Sequence, residues 1–283
     1  MAGPPRETTL QITPLSASVG AEVRGVDLSA PPAPEALAQL RRAWLDAGVL
    51  SLPDQPLSSE AFLAFARALG EVSEYPFLRG LADHPEITEV VKLEHETVNF
   101  GGVWHSDTTY LPRPPMATLL IARETPPVGG DTLFASQAAA YAALPDHLKQ
   151  RLEGLRAINS SAKAEVSLTR EDRLRDHARS DDAQVFDAVH PVVRSHPETG
   201  RRALFVNPAH TVRFDGMTEA ESAPLLAELF AHQIRPEFTC RVTWRPGTLA
   251  VWDNRQLLHF PLNDYQGHRR VMHRITLRGD VPV

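Results

Sequence analysis

The feature that most constrains this chain is a scatter of short apolar strand candidates with no βαβ rhythm to organise them. Residues 49–52, 89–93, 117–123, 132–135, 203–206, 239–244, 248–252 and 271–277 carry β-favouring side chains over a strand's length. Gly129-Gly130, Gly200 and Pro246-Gly247 supply turns between them. A parallel sheet would need a helix after nearly every strand, and that alternation is missing. The pattern predicts a mainly β fold with added helices, an antiparallel barrel or jelly roll forming one domain over residues 1–283. Residues 239–244 and 248–252 are expected to form a hairpin across Pro246-Gly247. Helices are expected at 34–47, 59–69 (stopped by Gly70), 138–144, 147–155 and 218–232. Thr218 and Glu221 could make a capping box, while Pro224 moves the expected start of the regular helix toward itself.

Several function classes fall away. No apolar run approaches the ~18 residues of a membrane span, and residues 1–9 lack a signal-peptide core. Cys240 is the single cysteine, so no intrachain disulfide can form, and a reducing, cytoplasmic setting is expected. The net charge of −6 argues against general nucleic-acid binding. Against that acidic background, residues 255–278 hold Arg255, Arg269, Arg270, Arg274 and Arg278, with Asp264 the one acid. Such a segment either builds an anion pocket or protects a solvated sheet edge, and composition leaves both open. The polar stretch within 160–188 reads as a lid or excursion from the domain.

The chemistry concentrates at Trp104-His105-Ser106-Asp107. On an extended segment, His105 and Asp107 project to the same side and could form two corners of a metal site. A second imidazole would complete the two-His, one-carboxylate face used by non-haem iron(II) oxygenases, which leaves positions open for a chelating co-substrate and O2. His259 and His273 are the candidates, each on or near a strand. Arg270 and Arg274 are four apart on a predicted strand and so share a side. Aimed inward, the two guanidinium forks suit carboxylate or sulfonate oxygens; aimed outward, they are surface charge.

The run Trp104-His105-Ser106-Asp107-Thr108-Thr109-Tyr110, then Pro114-Pro115 and Gly129-Gly130-Asp131-Thr132-Leu133, resembles the taurine dioxygenase and aryloxyalkanoate dioxygenase (TauD/TfdA) family. Val251-Trp252-Asp253-Asn254-Arg255, His259 and Arg269-Arg270-Val271-Met272-His273-Arg274 resemble its C-terminal part, and the similarity runs in order along nearly the whole chain. The resemblance implies a double-stranded β-helix and an Fe(II)- and 2-oxoglutarate-dependent dioxygenase. Such an enzyme spends O2 to hydroxylate a small anionic substrate, releasing succinate and CO2. It implies iron on His105, Asp107 and His259, and 2-oxoglutarate held by Arg270 and Thr132. Arg274 and the backbone of Thr108 would then face the substrate. The family also implies homo-oligomers.

Departures from the taurine enzyme concern the substrate side. Tyr75 stands where a sulfonate-binding histidine is expected, Gly101 replaces an asparagine near the first metal ligand, and His210 takes an aromatic substrate-lining position. Sulfonates, sulfate esters, aryloxyalkanoates and other carboxylates all remain open. The competing readings are a metal-dependent hydrolase or isomerase on the same jelly roll, and a non-catalytic binding module.

Overall fold

The computed structural model describes residues 10–75, 78–163 and 185–283. The chain runs β1 (Gln11–Pro14), β2 (Ala21–Arg24), α1 (Pro34–Ala47), β3 (Val49–Leu52), α2 (Ser59–Leu69), β4 (Val72–Ser73) and β5 (Thr88–Lys92). It continues through β6 (Ala117–Glu124), β7 (Thr132–Ser136), α3 (Gln137–Ala142), α4 (Asp146–Leu152), β8 (Arg156–Ser160), β9 (Asp187–Pro191), β10 (Val193–Ser195) and β11 (Arg202–Leu204). Last come β12 (Thr211–Phe214), α5 (Glu219–Gln233), β13 (Thr239–Val242), β14 (Leu249–Asp253), β15 (Leu257–Pro261) and β16 (Arg270–Leu277).

The major sheet has the order β1-β2-β3-β14-β6-β16-β4, with β5 also on β16. A smaller sheet, β13-β7-β15, faces it. Period-two alternation decides which layer each side chain joins. On β6, Leu119 and Ile121 pack outward with Phe62 and Phe65 of α2 and Trp44 of α1; Leu120 and Ala122 turn inward toward Phe134, Val242 and Leu257 of the smaller sheet. Burying each of these phenylalanines contributes roughly 2–3 kcal/mol. A third cluster joins α3, α4 and α5 to β8, β11 and β12. This is the jelly roll expected from the scatter of short strands.

Helices α1 and α2 and strand β3 occupy the predicted ranges. Pro34 opens α1, where its missing N–H costs nothing, and Gly48 closes it at φ 77°, donating its N–H to Trp44 O. Helix α5 starts at Glu219, earlier than Pro224 suggested. The capping box of Thr218 and Glu221 is complete, and the helix carries Pro224 inside it.

The expected hairpin is corrected. The Pro246-Gly247 turn exists, with Thr248 N–H on Arg245 O at 2.8 Å, but the strands beside it do not pair. β13 bonds to β7, while β14 lies between β3 and β6 in the opposite sheet. The turn carries the chain across the sandwich, anchored by Gly247 N–H on Ala122 O at 2.9 Å. The excursion expected within 160–188 lies mostly outside the described residues; its two ends are paired, Ser160 with Asp187. Among the described residues, no helix is long and apolar enough to cross a membrane.

Candidate active site

Two backbone hydrogen bonds create the centre of the site. His259 N–H donates to His105 O at 2.8 Å, and His105 N–H donates to His259 O at 3.1 Å. This isolated antiparallel bridge sets the two imidazoles side by side, ring centroids 4.1 Å apart. The segment around His105 is not extended through Asp107, as the His-x-Asp reading expected. The chain turns at Asp107, and Thr108 takes φ 41° before Leu111 N–H closes the turn on Thr108 O at 3.0 Å. The turn brings the carboxylate to the imidazoles: Nε2 of His105 and Nε2 of His259 each lie 3.9 Å from Asp107 Oδ1.

The donor set suits a divalent first-row metal. One atom from each of His105, Asp107 and His259 lies within 4.8 Å of the others, and all three residues are buried. His105 Nδ1 is 2.7 Å from Val103 O, which requires the ring proton on Nδ1 and turns the Nε2 lone pair into the site. Burial lowers the pKa of both imidazoles, keeping them neutral and able to ligate. Burial opposes the charge on Asp107, but the Arg274 guanidinium, helped by the Thr118 hydroxyl, outweighs it and holds the carboxyl well below its usual range. Two neutral imidazoles and one anionic oxygen, with space beside them, match the facial arrangement of non-haem iron sites.

The arginines face inward, which removes the surface-charge alternative for this pair. Arg270, Met272 and Arg274 share the inner face of β16, while His273 lies on the other. His273 instead accepts from Arg123 Nε at 3.2 Å, which excludes it from the metal cluster. Arg270 keeps Nε and one Nη buried without hydrogen-bond partners, its guanidinium 5.7 Å from the Trp244 ring. A buried guanidinium with unmet donors calls for an anion from outside the chain. Beside it, the Thr132 oxygen accepts from Trp244 Nε1 at 3.0 Å, leaving the hydroxyl proton available to the same anion. Arg274 Nη2 is 2.9 Å from Asp107 Oδ1, a close ion pair without the alignment of a hydrogen bond. Its guanidinium lies 4.6 Å from the Tyr75 ring centroid. His105, Asp107, Thr132, His259, Arg270 and Arg274 all line one cavity, bordered by apolar neighbours such as Val90, Leu120 and Trp252. The rest of the basic segment is structural or exposed: Arg255 grips buried Asp253, and Arg278 pairs with Glu71 at the surface.

His210 is buried edge-on to Tyr110 and 6.2 Å from the His105 ring. Asn207 Nδ2 donates to Thr109 Oγ1 at 3.1 Å, and the Thr109 hydroxyl is hydrogen-bonded to His210 Nδ1 at 2.9 Å. Burial takes His210 down to about 3 and keeps it neutral. Thr108 is buried directly after Asp107. Sequence reasoning missed Thr118, Asn254 and Trp244, which touch the site residues. A polar side chain inside the apolar run Ala117-Thr118-Leu119-Leu120-Ile121-Ala122 was the available signal for Thr118.

Residues 11–276 match the family model for the taurine catabolism dioxygenase TauD, TfdA family. The chain is 33% identical over 288 residues to an alpha-ketoglutarate-dependent sulfate ester dioxygenase of Pseudomonas putida, covering 100% of this chain and 94% of that protein. It is 32% identical over 286 residues to the alpha-ketoglutarate-dependent 2,4-dichlorophenoxyacetate dioxygenase of Cupriavidus pinatubonensis, covering 95% and 98%. The crystal structure of a taurine dioxygenase from Burkholderia xenovorans superposes with a TM-score of 0.82 at 36% identity, covering 97% of this chain and 91% of that one. AAD-2 in complex with Mn(II) and N-oxalylglycine gives a TM-score of 0.77 at 29% identity, covering 97% and 99%.

Proposed function

This chain belongs to the taurine catabolism dioxygenase TauD, TfdA family, and from that premise we propose that it is an Fe(II)- and 2-oxoglutarate-dependent dioxygenase hydroxylating a small anionic substrate. Relatives named for sulfate esters and for 2,4-dichlorophenoxyacetate support an anionic substrate. The observation that carries the reading is one buried cavity holding both a His-Asp-His cluster and an arginine with unmet donors.

His105, Asp107 and His259 hold the metal. When bound, iron with O2 supplies the oxidising power: 2-oxoglutarate loses CO2 and becomes succinate, which takes one oxygen atom, while the other enters a C–H bond of the substrate. The protein binds, orients and excludes water. Arg270 and the Thr132 hydroxyl neutralise the far carboxylate of 2-oxoglutarate, directing its keto-acid end toward the metal ligands. Arg274, backed by Tyr75, meets the substrate's acidic group, with the Thr108 backbone and His210 lining that side. His210 is neutral, so it offers a hydrogen bond without adding charge. The proposal extends to the whole chain acting as one catalytic unit, to a cytoplasmic setting suited by the single cysteine, and to homo-oligomers as in the family.

A succinate-formation screen tests the reading. Purified protein with Fe(II), 2-oxoglutarate and O2 is offered sulfonates, sulfate esters, aryloxyalkanoates and amino acids against a no-substrate blank. Succinate above the blank with at least one anionic compound is expected. Turnover that persists without O2, under iron chelation with zinc restored, would instead establish a hydrolase or isomerase.

A further inference from the structure

The Asp107 carboxylate is held by a chain of hydrogen bonds whose direction is forced. Trp252 Nε1 can only donate, and it donates to Asn254 Oδ1 at 3.0 Å. That fixes the Asn254 amide, turning Nδ2 toward Thr118 Oγ1 at 3.0 Å. Because Thr118 Oγ1 accepts there, its own proton goes to Asp107 Oδ2, at 2.5 Å. Thr118 is 0% exposed and Asn254 2%, so water does not compete for these bonds. Ser106 Oγ also donates to Asn254 O at 2.7 Å, tying the turn that carries Asp107 to the same residue.

The two carboxylate oxygens are thereby made unequal. Oδ2 accepts the Thr118 hydrogen bond, while Oδ1 faces both imidazole Nε2 atoms at 3.9 Å and makes only an ion pair, without hydrogen-bond alignment, to Arg274 Nη2 at 2.9 Å. We propose that Thr118, oriented by Asn254, is a positioning residue that fixes Asp107 so that Oδ1 alone is presented to the metal. The inference rests on the ligand set proposed above. Its consequence is chemical: a carboxylate using both oxygens would occupy a position that a chelating co-substrate and O2 need, whereas a one-oxygen ligand leaves that face open. Strand β6 contributes Thr118, and the turn after β14 contributes Asn254, so both sheet-bound elements set the geometry of a residue that itself lies in a turn.

The test is Mn(II) binding, read as loss of the free-ion EPR signal, in the wild type, T118V, T118S, N254A and D107A, with folding checked by thermal melting. T118V, nearly isosteric with threonine, is expected to bind Mn(II) about 10–100-fold more weakly. T118S keeps the hydroxyl and is expected to bind like the wild type, with N254A between the two. Folded T118V binding like the wild type overturns the inference, and N254A binding like the wild type removes Asn254 from it. If D107A alone also binds normally, the ligand set itself is wrong, a distinct failure. Should T118V not fold, the crystal structure of the wild-type Mn(II) protein decides: ligation through Oδ1 with Thr118 on Oδ2 is expected, and ligation through both oxygens overturns the proposal.

Discussion

At Gly101 the backbone sits at φ 79°, and a Cβ built there would stand 2.9 Å from His105 Cε1. The glycine that replaces an asparagine near the metal ligands therefore makes room for an imidazole rather than merely enlarging the pocket. Gly101→Ala is expected to cost about 1–2 kcal/mol of stability from the left-handed backbone alone. It is also expected to weaken Mn(II) binding by displacing His105; unfolding and metal titration on the same protein check both. Arg270→Lys replaces a planar fork by a point charge, and 2-oxoglutarate affinity is expected to fall by about 1.5–3 kcal/mol, with Mn(II) affinity unchanged. Calorimetry with 2-oxoglutarate reads that loss. The spacing of Arg270 and Arg274 predicted that they share a side, but which side depended on the partners of β16, which spacing does not contain. The choice between His259 and His273 was equally open from strand position, and came from resemblance; the backbone bridge to His105 is its physical basis. The Thr118–Asn254 pair was not legible, because its residues are 136 apart in sequence.

Among the elements, those governed by local signals were readable. The apolar faces and stops of α1 and α2 gave their ranges, and the Thr218–Glu221 box forms as the sequence suggested. Thr218→Ala is expected to lower stability by about 1 kcal/mol without altering metal binding, as a denaturant melt with a parallel Mn(II) titration would show. Elements governed by non-local pairing were not readable: β13 and β14 look like a hairpin locally, yet each finds its hydrogen bonds in a different sheet. The turn after β14 shows how such a crossing is secured. Asp253, fully buried, accepts from His196 at 2.8 Å and from Arg255 Nε at 2.8 Å. Burial opposes its charge, but the hydrogen bonds from Arg255 and His196 prevail and bring it to about 2, from 3.8. A folded-state value below the unfolded one means stability present above about 3.8 and lost as pH falls toward 2. Asp253→Asn is expected to cost about 3–5 kcal/mol near neutrality, because it leaves Arg255 without its buried partner. The gap from the wild type should narrow as unfolding is measured from pH 5 down to pH 3, and a gap constant with pH would contradict the assignment.

For the whole molecule, the fold class was legible because short strands without intervening helices leave few ways to bury their apolar faces. The strand order was not, since β14 lies between β3 and β6 and β16 between β6 and β4, neighbours chosen by packing rather than succession. That order nevertheless makes the site. Ligands separated by 154 residues meet because β15 of the smaller sheet closes over the turn before β6, and Arg270 enters from β16 of the major sheet. Metal and dicarboxylate should therefore bind as one linked event in one cavity. Calorimetric titration of 2-oxoglutarate into the wild-type protein, with and without Mn(II), tests this directly. The structure predicts one dicarboxylate per chain, bound at least about tenfold more tightly when the metal is present, a coupling of about 1.4 kcal/mol. Equal affinity with and without Mn(II), or a metal-dependent affinity that survives in H259A, would contradict it.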